Sequence, residues 1–204
     1  MHKLFLLGMI LMANISASIV RIDGPHAAVL KTKAAPIQEH ELVLAKEIGE
    51  QLFSALQPYF PAAGLAAPQI GISKAIFIFS YDRDPKNLEV VINPTFTPIG
   101  DEKMTGWESC FSAILESGLH KCAKLSRYEK IKVSYLTVTG EKIEKVLEGF
   151  AAKVFQHEYD HLQGTVNIDR EDAEVKTFEN KDEFVAFVQE FKKQDAHRYI
   201  EPKK

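Results

Sequence analysis

The sequence predicts an α+β fold in which mostly antiparallel strands pack around one central helix. Three observations carry that reading. Apolar residues recur at helical spacing in two distant places: Leu42, Val43, Leu44, Ile48, Leu52, Phe53 and Leu56, then Phe184, Val185, Phe187, Val188 and Phe191. Between them lie strand-like runs at Ala75–Phe79, Leu88–Asn93, Ile131–Val138 and Lys142–Leu147, the last two joined through Thr139-Gly140 as a hairpin. A third helical segment, from about Phe150 to Leu162, carries His157-Glu158-Tyr159-Asp160-His161, and Gly164 is placed to end it.

Taken in order, residues 1–17 stand apart. His2 and Lys3 precede an apolar run from Leu4 to Met12, followed by the small residues Ala13, Ser16 and Ala17. That is the layout of a secretory signal peptide, too short to anchor the chain in a membrane, and it points to export to the periplasm. A start at Met12 would delete the run and leave a cytoplasmic protein. Loss of residues 1–17 would take the formal charge from −3 to 24 − 28 = −4. The remaining 18–204 read as a single catalytic domain. Its N-terminal helix is expected from about Glu39 to Gln57, stopped by Pro58 and Pro61, and a loop of small residues follows at Ala62–Gln69. The charged stretch from Lys192 to Lys204 reads as the solvated end of the C-terminal helix.

The modest negative charge argues against nucleic acid or an anionic membrane as the main partner, and no repeat suggests a solenoid. A monomer is expected. Two cysteines, Cys110 and Cys122, are too few for a disulfide scaffold, although one bridge between them is open to an exported chain. A different use for Cys110 comes from the helix.

Two His four residues apart lie on one helical face, close enough to share a metal ion, and the intervening Glu158 can serve as general base toward a water. The bland alternative is a pair of solvated or core imidazoles. A catalytic site needs a third protein ligand. The extended pattern HExxHxxGxxH matches at Gly164 but ends on Asn167, a poor ligand, and Glu171, Glu174 and Glu179 lie in no clearly helical setting. There remains Cys110, within Trp107-Glu108-Ser109-Cys110-Phe111-Ser112. Alone it would read as a small buried residue. With Gln69 and the helix it reads as a ligand.

The segments Ala62–Gln69, Glu108–Ser112 and His157–His161, in that order, resemble the GxGxAAPQ, EGCLS and HExDH signature of peptide deformylases. Ile92-Asn93-Pro94 and His161-Leu162-Gln163-Gly164 through Ile168-Asp169 fit as well, and the likeness spans roughly 34–170. The resemblance implies removal of the formyl group from N-terminal formyl-methionine of peptides, with release of formate. It implies one divalent metal ion held by Cys110, His157 and His161, Fe(II) natively with Zn(II) or Ni(II) possible, and zinc more plausible if export exposes the site to oxygen. Glu158 would move the proton, while the Gln69 amide and the Phe111 N–H would hold the oxyanion. Ala63, Gly64, Leu65, Lys153 and Val154 would line the substrate site, and Glu108 would pair with Arg127 to fix the Cys strand.

Departures from the signature are Ala62 and Ser109, where glycines are usual, Phe111 in place of Leu, and Lys153 in place of an apolar residue. Ser109 raises the question of whether the backbone there needs glycine's freedom. Lys153 is expected to reach solvent along a packed stem; the alternative is a pocket altered toward polar or acidic side chains. Asp160 is expected to bond locally on its helix, Tyr159 to sit in the core, Cys122 to be an ordinary thiol, and His120 with Lys121 to lie in a loop bordering the substrate channel. Two rival functions remain at this level: a zinc endopeptidase of HExxH type, and a non-catalytic binder of formylated peptide ends.

Overall fold

The computed structural model describes residues 18–202. The signal-peptide reading of residues 1–17 lies outside the described residues. Three helices, α1 (Leu42–Leu56), α2 (Gly149–Leu162) and α3 (Lys181–Ala196), accompany eight strands. These are β1 (Gly64–Ala66), β2 (Ile76–Phe79), β3 (Glu89–Pro98), β4 (Lys103–Ile114), β5 (His120–Tyr128), β6 (Lys130–Leu136), β7 (Lys142–Glu148) and β8 (Glu174–Phe178). All strand pairs are antiparallel, in a five-stranded sheet ordered β1-β2-β3-β6-β7 and a three-stranded sheet ordered β4-β5-β8.

The run Ile76-Phe77-Ile78-Phe79 shows how α2 comes to be central. All four side chains are buried, and they alternate across the sheet. Ile76 and Ile78 join Ala45, Ile48, Leu52 and Leu56 of α1 in one core, whereas Phe77 and Phe79 join Phe150, Ala151 and Phe155 of α2 in another. Phe155 is wedged edge-on between Phe77 and Phe79, ring centroids 5.1 and 5.7 Å away. Burying such a ring contributes roughly 1.5–3 kcal/mol. Phe184, Val188 and Phe191 of α3 pack with Cys122 and Phe178 on the smaller sheet.

Helix ends follow local chemistry. A 3-10 turn at Glu39–Glu41, closed by a capping box on Gln38, precedes α1, and Pro58 converts its end into another 3-10 turn, so the helix is shorter than the expected span from Glu39 to Gln57. Val43, 73 % exposed, does not belong to its core face. Gly164, at φ +78°, terminates α2: its N–H bonds the His161 carbonyl (3.2 Å) and that of Thr165 bonds the Asp160 carbonyl (3.0 Å). Any side chain at Gly164 would also run into the Lys31 backbone at 2.8 Å. At the other end of α2 the Phe150 N–H bonds the Arg198 carbonyl (3.0 Å), so the segment after α3 satisfies a donor of the first turn. Tyr199 packs against Phe150 there, with centroids 4.8 Å apart. The stretch expected to be solvated is thus partly built in.

Candidate metal centre and its cavity

Cys110 comes from the far half of β4 and the two His from α2. Strand pairing with β5 is regular up to Ser109–Cys122 and resumes at Ile114–His120, so Cys110 to Ala113 fall in a register shift. Ser109 itself is not among the residues with positive φ, so the serine costs the strand no unusual conformation. Ligand atoms of Cys110, His157 and His161 all lie within 4.8 Å of one another, with Cys110 Sγ 3.3 Å from His161 Nε2. Both cysteines are free thiols.

Each imidazole is held differently. His157 Nδ1 donates to Glu108 Oε2 (2.8 Å), leaving Nε2 for a cation. Burial opposes charge on His157, but hydrogen bonds to Cys110 and Glu108 outweigh it and hold the ring well above its usual value. His161 is buried with Nδ1 unpartnered among the described residues, and burial, with His157 and Arg127 nearby, holds it well below the usual range. One sulfur and two imidazoles flanked by an anionic carboxylate fit a divalent transition-metal ion.

Glu108 is fixed in turn. Arg127 donates to it twice, Nε to Oε1 (3.0 Å) and Nη2 to Oε2 (2.9 Å), and also reaches Asp160 Oδ2 (2.5 Å). Burial disfavours the Glu108 charge, but Arg127 and then the His157 hydrogen bond hold its carboxyl well below the usual range. Asp160 is therefore not a local cap; it bridges Arg127 and Arg170 (3.3 Å). Asn167, weighed only as a ligand, donates to the Glu108 carbonyl (3.2 Å) and ties the end of the α2 loop to β4.

Glu158 is buried beside the metal donors, with Oε2 unpartnered among the described residues, and burial pushes its carboxyl up to about 7. A Cβ on Gly64 would lie 2.6 Å from Glu158 Oε1, so only glycine lets β1 approach this closely. Gln69 Oε1 accepts from the Ala66 N–H (2.9 Å), which turns Nε2 toward Cys110 Sγ (3.5 Å) and Ser112 Oγ (3.3 Å). Phe111 follows Cys110 in the register shift and stacks on Tyr59, centroids 4.8 Å apart.

A cavity of about 250 Å³ opens on this cluster. Cys110, Phe111, Gln69, His157, Glu158, Ala63, Gly64, Lys153 and Val154 line it; Leu65 does not, its side chain being buried in the core facing α1. Lys153 is buried rather than reaching solvent. Its Nζ donates to the Trp107 carbonyl (3.0 Å) and Asp195 Oδ1 (2.9 Å), and Arg83 Nη2 donates to Asp195 Oδ2 (3.2 Å). Arg83 and Asp195 were not among the expected site residues, and no local pattern marks them, because they meet Lys153 only through the fold. His120 opens β5 and lies half-buried against Phe184 (4.8 Å) rather than at the cavity, while Tyr159 is half-buried on Phe96 (5.1 Å). Cys122 is fully buried, and burial pushes its thiol up to about 12.

Sulfur and imidazole donors on one helix and one strand, with a poised carboxylate beside them, define a metal-dependent hydrolase. Residues 17–177 match the family model for polypeptide deformylase. The peptide deformylase of Thermotoga petrophila is 39% identical over 151 residues, covering 74% of this chain and 85% of that one. The crystal structure of peptide deformylase from Thermotoga maritima aligns with a TM-score of 0.63 at 36% identity, over 74% of this chain and 95% of that one. A Met-Ala-Ser-bound class I type b peptide deformylase from Acinetobacter baumannii aligns at 0.64 and 31% identity, over 74% and 96%. The chain belongs to the peptide deformylase family.

Proposed function

We propose that this chain removes the N-formyl group from N-terminal formyl-methionine of peptides, releasing formate and a free amine. The observation that carries the reading is the approach of Cys110, His157 and His161 to within 4.8 Å beside Glu158, whose Oε2 is unpartnered among the described residues. When bound by those three residues, a divalent ion supplies Lewis-acid polarisation and makes a water easier to deprotonate. Glu158 takes the proton from the attacking water and returns it to the leaving amine. The Gln69 Nε2 amide and the Phe111 N–H donate to the oxygen that gains charge on the formyl carbon. Ala63, Gly64, Lys153 and Val154 bind the peptide along the cavity. Iron(II) is the native ion on this reading, with Zn(II) and Ni(II) accepted, and the protein acts as a monomer.

Formate release from formyl-Met-Ala-Ser by iron-, nickel- and zinc-loaded protein tests the proposal. Cys110→Ser should lose the metal on dialysis. Cleavage of internal peptide bonds with metal retained in Cys110→Ser would favour the endopeptidase instead, and peptide affinity without formate from any metal form would favour a binder.

A further inference from the structure

We infer that the end of the cavity away from the metal donors selects a first side chain that ends in a hydrogen-bond acceptor oxygen, and that Lys153 makes the selection. The inference rests on the deformylase reading and deepens it. Three cationic side chains, Arg83, Lys153 and Lys192, line this end together with a single carboxylate, Asp195. Arg83, Lys153 and Asp195 are largely buried, their side chains 13%, 7% and 8% exposed. An ammonium group has three N–H donors, and two of Lys153's are engaged by Trp107 and Asp195. A guanidinium has five; Arg83 uses Nε on the Tyr199 hydroxyl (2.9 Å) and Nη2 on Asp195, while its plane lies 4.4 Å over Phe150. One Lys153 N–H is left over at the cavity wall, and three cations there face one carboxylate.

The surroundings hold this arrangement in place. Arg83 sits at φ +67°, a conformation that persists in a non-glycine residue only where its contacts enforce it. Asp195 and Lys192 come from α3, beyond the residues 17–177 that match the family model.

A thioether entering this end leaves the remaining N–H of the buried Lys153 without an acceptor, which burial penalises. A sulfoxide oxygen, as in oxidised methionine, or a glutamate carboxylate would accept from Lys153; the carboxylate would also offset the excess positive charge. The shared chemistry is an oxygen acceptor at about methionine's reach.

Formyl-Met, formyl-Met-sulfoxide, formyl-Glu and formyl-norleucine versions of one tripeptide should be compared by kcat/KM of formate release, and their deformylated products by calorimetric affinity. The sulfoxide or glutamate peptide should exceed formyl-Met in both, by roughly ten- to a hundredfold. Lys153→Met should reverse that order, and Asp195→Asn should raise glutamate over sulfoxide. Formyl-Met or formyl-norleucine as the best wild-type substrate overturns the inference, as does an order that Lys153→Met leaves unmoved; the wild-type ratios decide if a variant does not fold. No formate from any peptide, with the affinity order as stated, would fault the deformylase reading and leave the pocket assignment standing.

Discussion

The two ends of the cavity are held together in contrasting ways. At the metal end, several functional atoms are aimed by partners from the signature segments and β5: His157 by Glu108, Glu108 by Arg127, and Gln69 by the backbone N–H three residues earlier. At the other end, Lys153 is held by Asp195, which Arg83 also grips; Asp195 belongs to α3 and Arg83 to the loop after β2, outside those segments. The contrast teaches that chemistry and selection are separable here. The signature segments supply the candidate metal donors and, with β5, their ion-paired supports, while residues outside those segments furnish the charges at the far end of the cavity.

Changes at each end should therefore fail differently. Glu158→Gln keeps shape and loses the proton acceptor; formate release should fall about a thousandfold, with metal content by mass spectrometry unchanged. Glu108→Gln removes the charge that holds His157 and strips Arg127 of the carboxylate it grips twice. Metal affinity should weaken roughly ten- to a hundredfold, and chemical denaturation should show a loss of about 3 kcal/mol. Gly64→Ala pushes on Glu158 Oε1 and should lower kcat on the order of a hundredfold through misplacement alone; normal kcat would show that the carboxylate has slack the structure does not suggest. The smallest effect belongs to the far end, where Tyr199→Phe removes one hydrogen bond to Arg83. Stability should drop about 1 kcal/mol with metal binding intact, and any metal loss would break the separation between the two ends.

Much of this was legible in the chain. Helices α1, α2 and α3, strand β2 and the β6–β7 hairpin follow from apolar spacing, and the clustering of Cys110, His157 and His161 from the HExxH pattern and the resemblance of the segment around Cys110. Strands β4 and β5 were not, although they frame the site. Their buried positions include Glu108 and Arg127, which pair with each other, and Ser112, which accepts from Gln69, so the polar-apolar alternation that marks a strand is broken. β8 is exposed along four of its five residues and β1 is three residues long, and neither carries a pattern. Lys153 looked solvated for the same reason that Arg83 was passed over: the carboxylate that pairs with both lies on α3, and spacing along one helix is silent about it.

The bond from the Phe150 N–H to the Arg198 carbonyl carries a consequence for how the molecule is made. Emerging from the ribosome, the histidine-bearing helix must wait for residues 195–198, well past its own last turn, before its opening turn is tied down and Lys153 meets its counter-charge. The maturing of selectivity is then an event that follows synthesis of the metal donors, and a fusion placed close behind Tyr199 would tug on the first turn of that helix.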